Sequence, residues 1–113
     1  MSGAKFSPGS LYATPGVLEA LRASGDDILA YLVKHLAGDW GEVGSEDWQA
    51  NEESLRIGER LLSVYRMSNG TKFWVITERD RSATTFLLPD PASMWKSPKA
   101  ATWNWALLPL PVA

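Results

Sequence analysis

The stretch His35-Leu-Ala-Gly-Asp-Trp-Gly-Glu-Val43 concentrates the groups of this chain best suited to chemistry. His35 is the sole histidine, and an imidazole with an ordinary pKa of about 6.5 can give or take a proton near neutral pH. Arg79, Arg81 and Thr84 follow downstream and could supply charge and a hydroxyl beside an anionic substrate. His35, Arg79, Arg81 and Thr84 are therefore the candidate catalytic set. The competing reading is structural, because a histidine near a helix C-terminus interacts favourably with the exposed carbonyls. No recognisable partner stands beside His35, as nucleophilic catalysis would require. The residues favour the structural reading.

Asp39 and Glu42 are weak metal candidates, since magnesium prefers oxygen ligands. Asp39 beside Gly38 is also ordinary turn chemistry, while Glu46 and Asp47 suit the first turn of a helix. No calcium-loop or HExxH pattern occurs. The sequence assigns no metal and no cofactor. Trp40, between Gly38 and Gly41, could stack on a base or a partner side chain, but the favoured reading is a buried plug. Arg79-Asp80-Arg81, with Arg60 and Lys72, could touch phosphates, yet a charged turn is also what solubility produces. Gly38, Gly41 and Gly44 do not form a phosphate loop, and no nucleophile elbow is present.

The elements that must position these residues are legible in part. Thr14-Pro15-Gly16 is a helix start, carried by Val17, Leu18 and Leu21 and ended at Ser24-Gly25. Asp26 and Asp27 open a second helix with Ile28, Leu29, Leu32 and Leu36 as its apolar stripe, stopped at Gly38. Ser45 starts a polar third helix whose buried residues should be Trp48, Leu55 and Ile57, stopped by Gly58. The period then becomes alternating. A hairpin turning at Asn69-Gly70 is followed by a strand over residues 83–88, and residues 11–13 could add an edge strand. The predicted fold class is α+β: two to three N-terminal helices packed on one face of a three- to four-stranded antiparallel β-meander. Residues 1–90 form the single domain, and 91–113 an extended tail rich in proline and tryptophan.

A two-residue type I′ turn at Asn69-Gly70 would pair Tyr65 with Trp74, Val64 with Val75, Ser63 with Ile76 and Arg66 with Phe73. Leu62, Val64, Phe73 and Val75 would then share the face under the helices. Leu61, Tyr65, Met67, Trp74 and Ile76 would lie on the other, which is too apolar to stay wet. Trp95, Trp103 and Trp105 make the tail the candidate cover. It either packs back over Tyr65 and Trp74, the favoured reading, or docks on another chain. Trp40, Tyr65, Trp74, Trp95, Trp103 and Trp105 are the candidate binding residues.

Bulk properties narrow the function. The 113 residues are 45% hydrophobic and 21% charged with a net charge of −2, as expected of one folded domain. Eleven basic residues scattered among 13 acidic ones give no basic field for nucleic acid, which is not a favoured partner. Cysteine is absent, excluding disulfides, zinc–thiolate sites and thiol nucleophiles. No apolar run reaches about 18 residues, so no membrane partner is expected and the cytoplasm is the expected location.

The segments "ATPGVLEAL", "HLAGDWGEV", "RLLSVY" and "WVITERDRSATTFLLPD" resemble short proteins carried by bacterial plasmids, phages and integrative elements. Those are described as plasmid-related or hypothetical proteins, and in some cases as a type I restriction–modification subunit. The resemblance spans roughly residues 10–90 and leaves residues 91–113 outside its pattern. It implies a small accessory protein acting by protein binding, with interference in host defence as one version. A looser, fold-level similarity to RelE- and barnase-like small ribonuclease domains implies instead a ribonuclease or toxin using His35 with Arg79, Arg81 or Thr84. A third expectation is a structural module that self-associates through the tail.

Overall fold

Thr14 and Asp27 set the two leading helices. The Thr14 hydroxyl accepts from the Val17 N–H and the Asp27 carboxylate from the Leu29 N–H, each satisfying one donor that the helix cannot. Gly25 ends the first helix in the left-handed conformation, its N–H donating to Leu21. The computed structural model describes residues 4–88 together with Leu108–Pro109. The order is β1 (Ser10–Ala13), α1 (Pro15–Ser24), α2 (Ile28–Leu36), α3 (Ser45–Ile57), β2 (Leu61–Arg66), β3 (Lys72–Thr77), β4 (Ala83–Leu87) and β5 (Leu108–Pro109).

The fold is α+β, with one correction to the expected sheet. Strand order is β2-β3-β4-β1-β5, and β1 runs parallel to β4 while the other pairs are antiparallel. The sheet is therefore mixed, and β1 is an interior strand rather than an edge. Strand direction across such a sequence gap leaves no local trace. It shows only in the pairing of Ser10–Ala13 with residues 83–86, bounded by bonds from Ser10 N to Ser82 O and from Thr14 N to Phe86 O.

The hairpin register is the second correction. Gly70 N donates to Met67 O and Met67 N to Thr71 O, both at 2.8 Å, and Gly70 takes φ 92°. This is a three-residue loop, a type I turn with Gly70 in the bulge position, and not the two-residue type I′ turn. Its extra residue slips the pairing by one: Arg66 faces Lys72, Tyr65 faces Phe73, Val64 faces Trp74, Ser63 faces Val75 and Leu62 faces Ile76. Because side chains alternate, that slip moves a whole strand's residues to the opposite face. Tyr65 and Trp74 lie on opposite faces.

One face carries Leu11, Ala13, Tyr65, Met67, Phe73, Val75 and Phe86 against Val17, Leu21 and Leu32 of the leading helices. The other carries Leu62, Val64, Trp74, Ile76 and Leu87, with Val43 packed alongside. The helices thus cover Tyr65 and Met67 rather than Leu62 and Val64. Of the tail expected over the second face, Trp95, Trp103 and Trp105 fall outside the described residues, while Leu108–Pro109 pair with β1 at the sheet edge. Two helical stripes also differ from expectation. Leu29 of α2 and Trp48 and Ile57 of α3 are exposed, and α3 instead buries Asn51 and Ser54.

Asn51 explains that polar burial. Its amide donates to Leu62 O at 2.6 Å and accepts from Leu62 N at 3.0 Å, so one side chain stands in for a neighbouring strand. Two residues along the same edge, Val64 N donates to Trp40 O and Val64 O accepts from Glu42 N. The outer edge of β2 is thereby sealed against pairing with another chain. Asn51→Ala is expected to leave both Leu62 groups unpaired and to cost about 2–3 kcal/mol, read by urea unfolding. A loss under about 0.5 kcal/mol would show that water replaces the amide.

Candidate functional site

The Ser63 and Thr77 hydroxyls interrupt two otherwise greasy strands, and both point at one residue of α2. His35 is 0% exposed. Its Nδ1 lies 2.6 Å from Ser63 Oγ and its Nε2 2.9 Å from Thr77 Oγ1. Thr77 Oγ1 lies 2.7 Å from Thr84 Oγ1, which donates to Pro8 O at 2.8 Å. Each hydroxyl has one proton, so the direction of the chain is fixed. Thr84 spends its proton on the carbonyl and must accept from Thr77. Thr77 must then accept from Nε2–H, which leaves Nδ1 to accept from Ser63. His35 is the neutral Nε2–H tautomer, satisfied on both sides.

Electrostatics agree with that assignment. Burial, reinforced by the nearby Arg81 guanidinium, pushes the His35 pKa down to about 3, as expected for a cation with no carboxylate partner in an apolar interior. Phe6 meets the imidazole edge-on at 5.2 Å and Trp40 meets it at 5.7 Å. The Trp40 indole is wholly buried and donates to Glu52 Oε2 at 2.8 Å. Its ring faces the core, as the packing reading expected, and presents no exposed stacking surface.

The structure brings three of the four catalytic candidates into one neighbourhood, with His35 and Thr84 fully buried and Arg81 partly so. Thr84 belongs to the histidine chain. Arg81 Nη1 donates to Glu59 O at 2.6 Å and Glu78 O at 3.1 Å, and Nη2 to Ser54 O at 3.2 Å. That guanidinium ties the end of α3 to the β3–β4 turn, where Arg81 itself holds φ 60°. Arg79 stands apart, exposed and paired with Glu59. Tyr65 is buried beneath the helices and donates to Asp39 O at 2.5 Å. Trp74 is buried on the other face.

Asp39 accepts from Gly41 N, and Glu42 forms ion pairs with Arg66 and Lys72. Among the described residues no group of three or more His, Cys, Asp or Glu could hold a metal ion. Nor is any described helix long and apolar enough to cross a membrane. Near Glu42 a shallow groove of about 240 Å³ runs between α2 and β2, lined by Tyr31, Lys34, Asp39, Glu42, Tyr65 and Arg66. At its end the Asp26 carboxylate takes bonds from Tyr31 Oη and from both the N–H and hydroxyl of Ser68. These bonds, Tyr31 first, hold its pKa below the usual carboxylate range.

Sequence reasoning singled out His35 and Thr84 but missed Ser63 and Thr77, the hydroxyls that meet the ring. A serine and a threonine at inward positions of apolar strands were the available signal, and only the correct register turns both toward α2. Phe6, which closes the network from outside, carried no signal. Comparison with family models, with curated proteins and with solved structures finds no match.

Proposed function

We propose that this chain acts by binding another protein, as a small cytoplasmic accessory factor of a bacterial mobile element, with interference in host defence as its setting. The observation that carries this reading is the outer face of α2. Leu29 and Val33, one turn apart, are 48% and 65% exposed, and Ala30 and Ala37 continue the exposed surface. A helix apolar on both its inner and outer faces is expected inside a core or an interface. The sealed outer edge of β2 leaves this helix surface, rather than strand addition on that side, as the route to a partner. Among the described residues Arg22, Arg56, Arg60, Arg66 and Arg79 each form an ion pair with a glutamate away from this face. The source in a mobile element rests on the resemblance of residues 10–90, and self-association through the tail would involve residues outside those described.

The test is capture from a bacterial host with wild-type bait and with a Leu29→Glu/Val33→Glu double variant. Both side chains are exposed, so the variant should melt within about 3 °C of wild type. The wild type is expected to retain a protein that the variant loses at least tenfold. Identical captured sets would remove α2 as the docking face. RNA cleavage by the wild type that vanishes in His35→Gln would replace the binding reading with the ribonuclease one.

A further inference from the structure

The Phe6 ring occupies a seat with the makings of a recognition site. It stacks on the Trp40 indole at 6.3 Å with 19° between planes. The Arg81 guanidinium lies over it at 5.7 Å, and the His35 imidazole meets its edge at 5.2 Å. Stacking faces, a cation above and a polar edge group recognise any planar aromatic ring. Trp40, His35 and Arg81 are all fixed independently of Phe6: by Glu52, by Ser63 and Thr77, and by three backbone carbonyls. The walls of the seat are therefore tied down by bonds to groups other than Phe6, and only the far end of the histidine chain, Thr84 to Pro8 O, reaches the strap.

The occupant is held more lightly. Residues 4–8 form a strap without secondary structure, in which Lys5 and Ser7 are exposed and Phe6 is only partly buried. Its described hydrogen bonds to the body are Lys5 N to Leu36 O at 2.7 Å and Thr84 Oγ1 to Pro8 O at 2.8 Å. Beyond Gly9 the chain enters the sheet and is fixed. The strap crosses the C-terminal end of α2, the helix that bears the exposed apolar face.

We propose that the strap is a displaceable plug and that the Phe6 seat is a binding site for an aromatic side chain of a partner protein, closed in the free chain by the protein's own ring. The proposal rests on the protein-binding reading for the identity of the ligand, while the existence of the seat stands on its geometry alone. Binding would exchange one ring for another, with Trp40, Arg81 and His35 keeping their places.

The test uses indole as the probe and the His35 ring signals in the NMR spectrum as the readout. Folded Phe6→Ala protein is expected to bind indole saturably, at least tenfold tighter than wild type, with the His35 signals moving in step. Equal, unsaturable binding to both proteins overturns the proposal. If Phe6→Ala does not fold, Lys5→Pro serves, because it removes the latch N–H at an exposed position and leaves every core side chain. It should show indole binding stronger than wild type, and no gain there counts against a displaceable strap. Indole binding without any captured protein would keep the seat and sink the protein-binding reading. A captured partner without indole binding would do the reverse.

Discussion

Replacing His35 by leucine is expected to lower the unfolding free energy by about 3 kcal/mol at pH 7. Leucine is close to the imidazole in size, so cavity formation contributes little. The loss comes from what the imidazole leaves behind. Thr77 would keep a buried oxygen with no donor, and Ser63 a buried hydroxyl proton whose remaining acceptor is the neighbouring Tyr65 hydroxyl. Each orphaned group costs about 1–3 kcal/mol, offset in part by the added apolar contact. For a domain of this size the melting point should fall by roughly 12 °C. A drop of less than about 3 °C would mean that the two hydroxyls find other partners.

The same residue imposes a pH dependence whose sign is fixed. The folded pKa, lowered to about 3 by burial and then by Arg81, lies below the unfolded value of about 6.5. Between these values the unfolded chain binds more protons, so stability rises with pH. The full contribution is present above about pH 6.5 and is lost as the pH falls toward 3. By pH 5 wild type should have lost about 2 kcal/mol relative to pH 7.5. The lowered carboxylates Asp26, Glu42 and Asp80 act at lower pH, where their protonation adds to acid destabilisation. Urea unfolding of wild type and His35→Gln between pH 5 and 7.5 isolates the histidine. The variant should be flat where wild type slopes, and parallel curves would contradict the buried neutral assignment.

Gly41→Ala is expected to be at least as damaging, with a loss of about 3–5 kcal/mol. Gly41 takes φ 74°, a region costly for any residue with a Cβ. A Cβ there would sit 2.0 Å from Val64 O and 2.7 Å from Tyr65 Cδ1. The nearer atom is backbone in β2 and cannot swing aside. Relief would require the Trp40–Glu42 segment to lift from β2, breaking the bonds from Val64 N to Trp40 O and from Glu42 N to Val64 O. That movement would carry Trp40 away from His35 and reopen the strand edge. Gly44 is the internal comparison, since a Cβ there meets nothing within 4 Å. Gly44→Ala should melt close to wild type. Equal melting of the two variants would show that neither the positive φ of Gly41 nor its contact with Val64 limits the loop.

The helices were readable because their determinants are neighbours in sequence. Thr14 and Asp27 cap the helices they precede, Gly25 and Gly58 end the helices they follow, and each works through bonds spanning a few residues. Composition and alternation likewise identified the strands and the α+β class. Face assignment was not readable in the same way. Asn69-Gly70 is compatible with two loop lengths, and the choice between them exchanges Tyr65 for Val64 beneath the helices. A single residue of slip has no local cost large enough to reveal itself; its cost appears only when the helices pack on one side.

The candidate site shows the same division. That His35 lies in the last turn of α2 follows from the periodicity of residues 28–36. That it is neutral, buried and closed in depends on Ser63, Thr77, Thr84, Pro8 and Phe6, brought together from β2, β3, β4 and the N-terminal strap. Hydrogen bonds between such distant residues leave no periodic mark, because nothing in the chain between them is constrained by the contact. The sequence by itself determined the three helices and the strands of residues 61–88, since those rest on short-range bonding and alternation, but not the tail strand Leu108–Pro109 that pairs with β1. Only the tertiary structure decided which face each strand presents and whether its lone imidazole meets solvent, because both depend on registry and packing between elements far apart in the chain.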